Sequence, residues 1–150
     1  MKKNILKLIS GFVLCTFLFS FSPVGGEGFT IHLNNKLLVE HYFTSKSVTP
    51  VLTLDRSSTN GELAIYYNEC GQIGKHRSLT INDEKGLVLK EWDFTDAAKE
   101  HTPMHAKVKD IVALKSKSSG ALKLFYSSQR VSDGRLLATI TVADEVKARK

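Results

Sequence analysis

A chain of 150 residues, 42% hydrophobic and 24% charged, is long enough for one domain with its own core and short for more than one. Its formal charge is +6, but Lys2, Lys3 and Lys7 belong to a segment that reads as a targeting signal, and without them the charge falls to +3. A balance this mild, with no dense basic stripe interleaved with aromatics, argues against a dedicated nucleic-acid surface.

The three lysines form a positive n-region ahead of the apolar run Leu8–Phe21. As a helix that run would rise only about 21 Å, short of a hydrocarbon core of roughly 30 Å. Ser22-Pro23-Val24-Gly25-Gly26 then breaks the run and supplies small residues for cleavage. Residues 1–26 are therefore expected to be a signal peptide, with the exact cleavage point open. The domain would span 27–143, and 144–150, with Lys147, Arg149 and Lys150, would be a flexible basic tail. The protein would be exported to the periplasm or the medium and meet the membrane only through its signal. Cys15 follows Val13-Leu14, not the small residue a lipoprotein site needs, so lipidation is rejected. Once Cys15 leaves with the signal, Cys70 stands alone and no intramolecular disulfide can form.

From Gly28 onward apolar residues recur with period two, the mark of half-buried strands. Phe29, Ile31 and Leu33 form one such set, and after the Asn34-Asn35 turn Leu37, Val39, His41 and Phe43 form another. Pro50 fits the start or edge of a strand carrying Leu52 and Leu54. Leu63, Ile65 and Tyr67 define an inner face, as do Leu79 and Ile81. The turn Asn82–Gly86 calls for a positive φ at Gly86. Leu87–Phe94 changes its apolar phase, which predicts a bulge near Lys90-Glu91. A helical turn is expected at Ala97–Lys99, a strand at His105–Val108, and one helical turn at Asp110–Leu114 with Asp110 as N-cap. Leu122, Leu124 and Tyr126 face inward, and Arg135–Val142 closes the series after the Asp133-Gly134 turn.

About eight short strands, with no helix long enough for a βαβ crossover, predict an all-β fold. The best match of pattern is an antiparallel β-sandwich of immunoglobulin-like or fibronectin-like architecture, without the Cys–Trp–Cys arrangement of true immunoglobulin domains.

The stretch Cys70-Gly71-Gln72-Ile73-Gly74-Lys75-His76-Arg77 concentrates the candidate chemistry. Its plainest reading is a glycine-assisted connection with Cys70 buried at its base and the cations in solvent. It is not a P-loop, because His76 follows Lys75 where Ser or Thr is required. A GxxG nucleic-acid clamp would need flanking helices. A copper or zinc site would combine Cys70 and His76 with His101, Met104 and His105 from the HTPMH segment. Such a set would resemble a blue-copper centre, although there Cys, His and Met share one late loop. Lys75, His76 and Arg77 would favour a thiolate, so a cysteine enzyme is a third reading, without a third residue to orient the pair. Glu91 and Asp93, about 7 Å apart along one strand face, read as a solvated surface rather than a glycosidase pair. His41 reads as a boundary residue.

These features point to an exported, non-catalytic binding or accessory module without a cofactor. Its partner would be a protein or a cell-envelope component, and its contact face would carry Tyr66, Lys123 and Phe125.

Overall fold

The computed structural model describes residues 26–143. The expected signal peptide, apart from Gly26, and the basic tail lie outside the described residues.

The described chain is mostly β. Its nine strands are β1 (Gly28–Leu33), β2 (Lys36–Tyr42), β3 (Val51–Asp55), β4 (Glu62–Asn68), β5 (Arg77–Asn82), β6 (Val88–Phe94), β7 (Met104–Lys107), β8 (Leu122–Ser127) and β9 (Arg135–Ala143). A single α-helix, α1 (Val108–Leu114), follows β7 directly. The strands form a four-stranded sheet in the order β2-β1-β4-β7 and a five-stranded sheet in the order β3-β9-β8-β5-β6. Both sheets send their inward side chains into one hydrophobic cluster, with Ile31, Leu63, Ile65, Leu79, Ile81, Leu122, Leu124 and Ile140 all essentially inaccessible. The period-two pattern is the cause: alternate residues of each strand face the same side, and burying that side removes apolar surface from water.

Turn chemistry sets the hairpins. Asn34 and Asn35 both adopt positive φ, as a two-residue hairpin between β1 and β2 requires. Between β5 and β6, Gly86 has φ +86° and the Asp83 carboxylate accepts from the backbone N–H of Lys85 and Leu87.

Several expectations are corrected. The sheet is not wholly antiparallel, because β3 runs parallel to β9, with Leu52 opposite Ile140 and Leu54 opposite Val142. A parallel pair needs a connection of at least about a dozen residues to bring the chain back in the same direction. Here five other strands intervene. The β6 irregularity falls at Leu89, between the Ile81↔Lys90 and Asn82↔Val88 pairs, one residue before the predicted bulge. Ala98 and Lys99 form a bend rather than a helical turn. The helix starts at Val108 and not after Asp110, with Lys107 at its N-cap and Asp110 in the first turn. Val108, Ile111 and Val112 are buried on one face, and that helical spacing draws Val108 out of the strand.

Arg77, expected in solvent, is only 6% exposed. It shares the parity of Leu79 and Ile81, so its side chain turns inward. Its guanidinium donates to the Thr95 carbonyl through Nε and Nη2 and to the Thr102 carbonyl through Nη1. With three buried donors satisfied, Arg77 ties the loop after β6 to β5. Arg77→Met keeps the volume and removes those bonds, and should cost at least about 2 kcal/mol in urea unfolding. A loss below about 0.5 kcal/mol would show that the loop anchors itself.

Candidate functional site

The inner face of β4 reads Leu63, Ile65, Tyr67, and the same parity continues one step beyond the strand to Glu69. On the other sheet Leu122, Leu124 and Tyr126 form the inner face of β8. The two faces meet at the tyrosines, whose rings stack with centroids 4.0 Å apart and planes 19° from parallel. Tyr126 donates its hydroxyl hydrogen to Glu69 Oε1 at 2.5 Å. Tyr67 donates to the Glu27 carboxylate just ahead of β1. Glu27 also holds the Arg135 guanidinium at 3.0 Å. That guanidinium lies over the Phe43 ring, 5.0 Å from its centre, adding a cation–π contact.

Glu69 is the exceptional member. Its side chain is 4% exposed, and Oε2 is closed from solvent with no hydrogen-bond partner. Its nearest cation is Arg130, whose Nε stands 3.9 Å away and whose side chain is 60% exposed. That distance gives Coulomb attraction without a hydrogen bond. A buried carboxylate with one unfilled oxygen is costly to maintain.

Beside Glu69 opens a cavity of about 300 Å³, bordered by Glu27, Glu69, Cys70, Arg130, Asp133 and Arg135 among others. Two turns shape it. On one side Gln72 N–H donates to the Glu69 carbonyl, while Cys70 and Gly71 have φ +54° and +77°. These are the φ signs of a type I′ turn, in which asparagine and glycine are preferred. The Asn68 carboxamide oxygen steadies the turn by accepting from Gly71 N–H. On the other side the Ser128 hydroxyl accepts from the backbone N–H of Arg130 and Val131, and Gly134, at φ +75°, donates to the Val131 carbonyl.

Cys70 is therefore exposed, not buried. Its place at the tip of a tight turn, off the inward parity of Glu69, carries the thiol outward. The other proposed ligands are scattered. His76 is exposed at φ +50°, with its backbone N–H on Asp96. His101 is exposed at φ +58°, beside a second, smaller cavity with Tyr66. Met104 is fully buried, and His105, on the opposite face of β7, pairs through Nδ1 with Glu62 at 3.0 Å. No histidine borders the cavity that Cys70 faces. Among the described residues, no three His, Cys, Asp or Glu side chains are grouped to hold a metal ion.

Tyr66, Lys123 and Phe125 do not share a face. Tyr66 sits on the outside of the four-stranded sheet, its ring edge-on to His32 at 5.2 Å. Lys123 and Phe125 lie outside the five-stranded sheet, opposite Asn82 and Thr80. All three are half-buried. Strand parity places them outward, but it does not say on which sheet. Glu91 and Asp93 are exposed, and His41 is half-buried against Phe29 and Phe43.

Glu27, Glu69, Arg130 and Arg135 were not singled out by sequence reasoning. Glu69 carried a usable signal, since it extends the odd-numbered inner face of β4. The arginines carried none, because an arginine in a turn or at the start of a strand is ordinarily solvated. The chain matches no protein-family model and no curated protein.

Burial, and then the hydrogen bond to Glu27, push the Tyr67 phenol well above its ordinary value. Burial, and then Glu69, do the same for Tyr126. An unfolded tyrosine ionises near pH 10. The stability these groups contribute is therefore complete below about pH 10 and is lost as the pH rises beyond it. Alkaline titration should show Tyr67 and Tyr126 ionising only as the chain unfolds, with phenolate absorbance rising together with loss of folded circular dichroism. Full ionisation of every tyrosine before unfolding would contradict the network.

The turn gives a second expectation. Cys70→Asn puts a residue tolerant of positive φ at this position and should stabilise the chain by roughly 0.5–1 kcal/mol in urea unfolding. A destabilisation would mean that the thiol makes contacts worth more than the backbone strain.

Proposed function

We propose that this chain is an exported, non-catalytic binding module of immunoglobulin-like β-sandwich architecture, and that its ligand site is the cavity beside Glu69. Support for the architecture comes from the four-stranded and five-stranded sheets that share one core. Export rests on the character of residues 1–26. Glu27 fits a first mature residue, since its carbonyl accepts from Phe43 N–H and its carboxylate serves the network. Processing after Gly26 would leave both contacts intact.

The observation that carries the binding reading is Glu69, which borders a 300 Å³ cavity and whose buried Oε2 has no hydrogen-bond partner. Few, well-placed polar groups in a concavity are what ligand sites require. Both acidic and basic groups border this one, which suits a small molecule bearing both charges. A protein or cell-envelope component presenting such a group is the partner class that follows.

The test is a nuclear magnetic resonance screen of small zwitterions, amines and carboxylates. Zwitterions should shift signals of Glu69, Arg130 and Arg135 selectively, and Glu69→Gln should weaken binding at least about tenfold, as expected for loss of a charge-assisted hydrogen bond. Shifts scattered over the surface, indifferent to Glu69→Gln, would refute the site. N-terminal sequencing of chain recovered from a secreting host should begin at or before Glu27. Retention of residues 1–26 would refute processed export.

A further inference from the structure

The cavity borders one thiol. Cys70 is exposed, held at the tip of its turn, and faces the space that Glu69, Arg130 and Asp133 also border. Of the charged groups around it, Arg135, Arg130 and Glu69 differ in what they have left to give. Arg135 is committed to Glu27 at 3.0 Å. Arg130 makes only the loose 3.9 Å approach to Glu69, so its planar fork is open to a carboxylate. Glu69 Oε2, buried and without a hydrogen bond, calls for a donor. A ligand that answers all three carries an ammonium group, a carboxylate and sulfur.

We propose that Cys70 is a thiol–disulfide exchange site for small zwitterionic aminothiols, compounds of the cysteine type, received as their disulfides. The proposal rests on the cavity being a ligand site and adds the ligand class. The ammonium takes the position beside Glu69 that Arg130 now approaches, and Arg130 turns to the carboxylate. Cys70 Sγ gives its proton to solvent and attacks one sulfur of the bound disulfide. A new Sγ–S bond forms as the ligand's S–S bond breaks, and the departing thiolate takes up a proton. Cys70 is oxidised, half of the small disulfide is reduced to thiol, and no other oxidant is needed. The product is a mixed disulfide seated in the cavity.

The full chain carrying Cys15→Ser leaves Cys70 as the single thiol. Its modification by four disulfides is followed by intact mass: cystine, cystamine with ammonium groups only, dithiodipropionate with carboxylates only, and neutral hydroxyethyl disulfide. Each rate is divided by that of the same chain in denaturant, which removes intrinsic reactivity. Cystine should then exceed hydroxyethyl disulfide by at least about tenfold, with the reagents of one charge sign between. Arg130→Gln should remove the advantage of the carboxylate. Glu69→Gln, which keeps an acceptor for Tyr126, should remove that of the ammonium. Equal ratios for all four reagents, or ratios indifferent to both variants, would overturn the proposal, as would a Cys70–Cys70 dimer that outpaces every mixed disulfide. Binding of 2-aminobutyrate to Cys70→Ser separates the two levels. If it binds while exchange shows no preference, the thiol site falls and the cavity reading stands; if neither occurs, both fall.

Discussion

The two sheets are joined at one end by a stacked pair of tyrosines whose hydroxyls are both committed to carboxylates. Tyr67 belongs to the four-stranded sheet and Tyr126 to the five-stranded sheet, and their rings meet 4.0 Å apart. Stacking alone is not directional enough to fix this end of the core. The hydrogen bonds to Glu27 and Glu69 add that direction, because each phenol must lie where its oxygen reaches a carboxylate. Glu27 precedes β1 and Glu69 follows β4, so the ends of neighbouring strands are tied to the ring pair. Glu27, Glu69 and, through Glu27, Arg135 border the cavity from there.

The loops at this end are held by polar anchors rather than by their own packing. Arg77 fastens Thr95 and Thr102, the Gly74 carbonyl accepts from Ala97 N–H, and the Lys75 carbonyl accepts from Gln129 N–H. Three connections that are distant in sequence are thereby cross-linked through β5 and the segment ahead of it. A loop so fixed can present Cys70 and the 128–134 turn at a set distance, which a ligand site needs and a flexible loop does not provide.

Much of the fold was legible in the sequence because burial writes itself as period two. Eight of the strands appear where Phe29, Leu37, Leu52, Leu63, Leu79, Leu89, Leu122 and Leu136 begin or continue an apolar run, and β7 overlaps the strand expected at His105–Val108. What periodicity cannot supply is pairing between strands far apart in sequence. The parallel β3–β9 contact and the division of Tyr66 from Lys123 and Phe125 both depend on it. The site was less legible, for a different reason. Sequence reading assigns charged residues to solvent, which holds for Glu91 and Asp93 but fails for Arg77 and Glu69. Both lie at inward parity, and in each case the cost of burial is offset by a partner contributed from a distant segment: carbonyls for Arg77, a phenol for Glu69. Cys70 fails in the opposite direction. A lone cysteine is ordinarily buried, but its neighbour Gly71 makes a tight turn whose geometry pushes the thiol out.

Glu69 is also a place where the fold departs from what stability alone would choose. A leucine or methionine at this inward position would extend the apolar face of Leu63, Ile65 and Tyr67 and leave no oxygen unfilled. The carboxylate satisfies one phenol and keeps its second oxygen beside the cavity, facing an arginine too far away to hydrogen-bond. In the same few residues Cys70 occupies a turn position better suited to asparagine. Two adjacent residues that each work against local preference, both bordering the same cavity, are difficult to account for as packing. Consistency across levels is what makes a sequence fold, and its local failure marks where a chain is under some other demand. At Glu69-Cys70 the proposed small charged ligand would meet that demand.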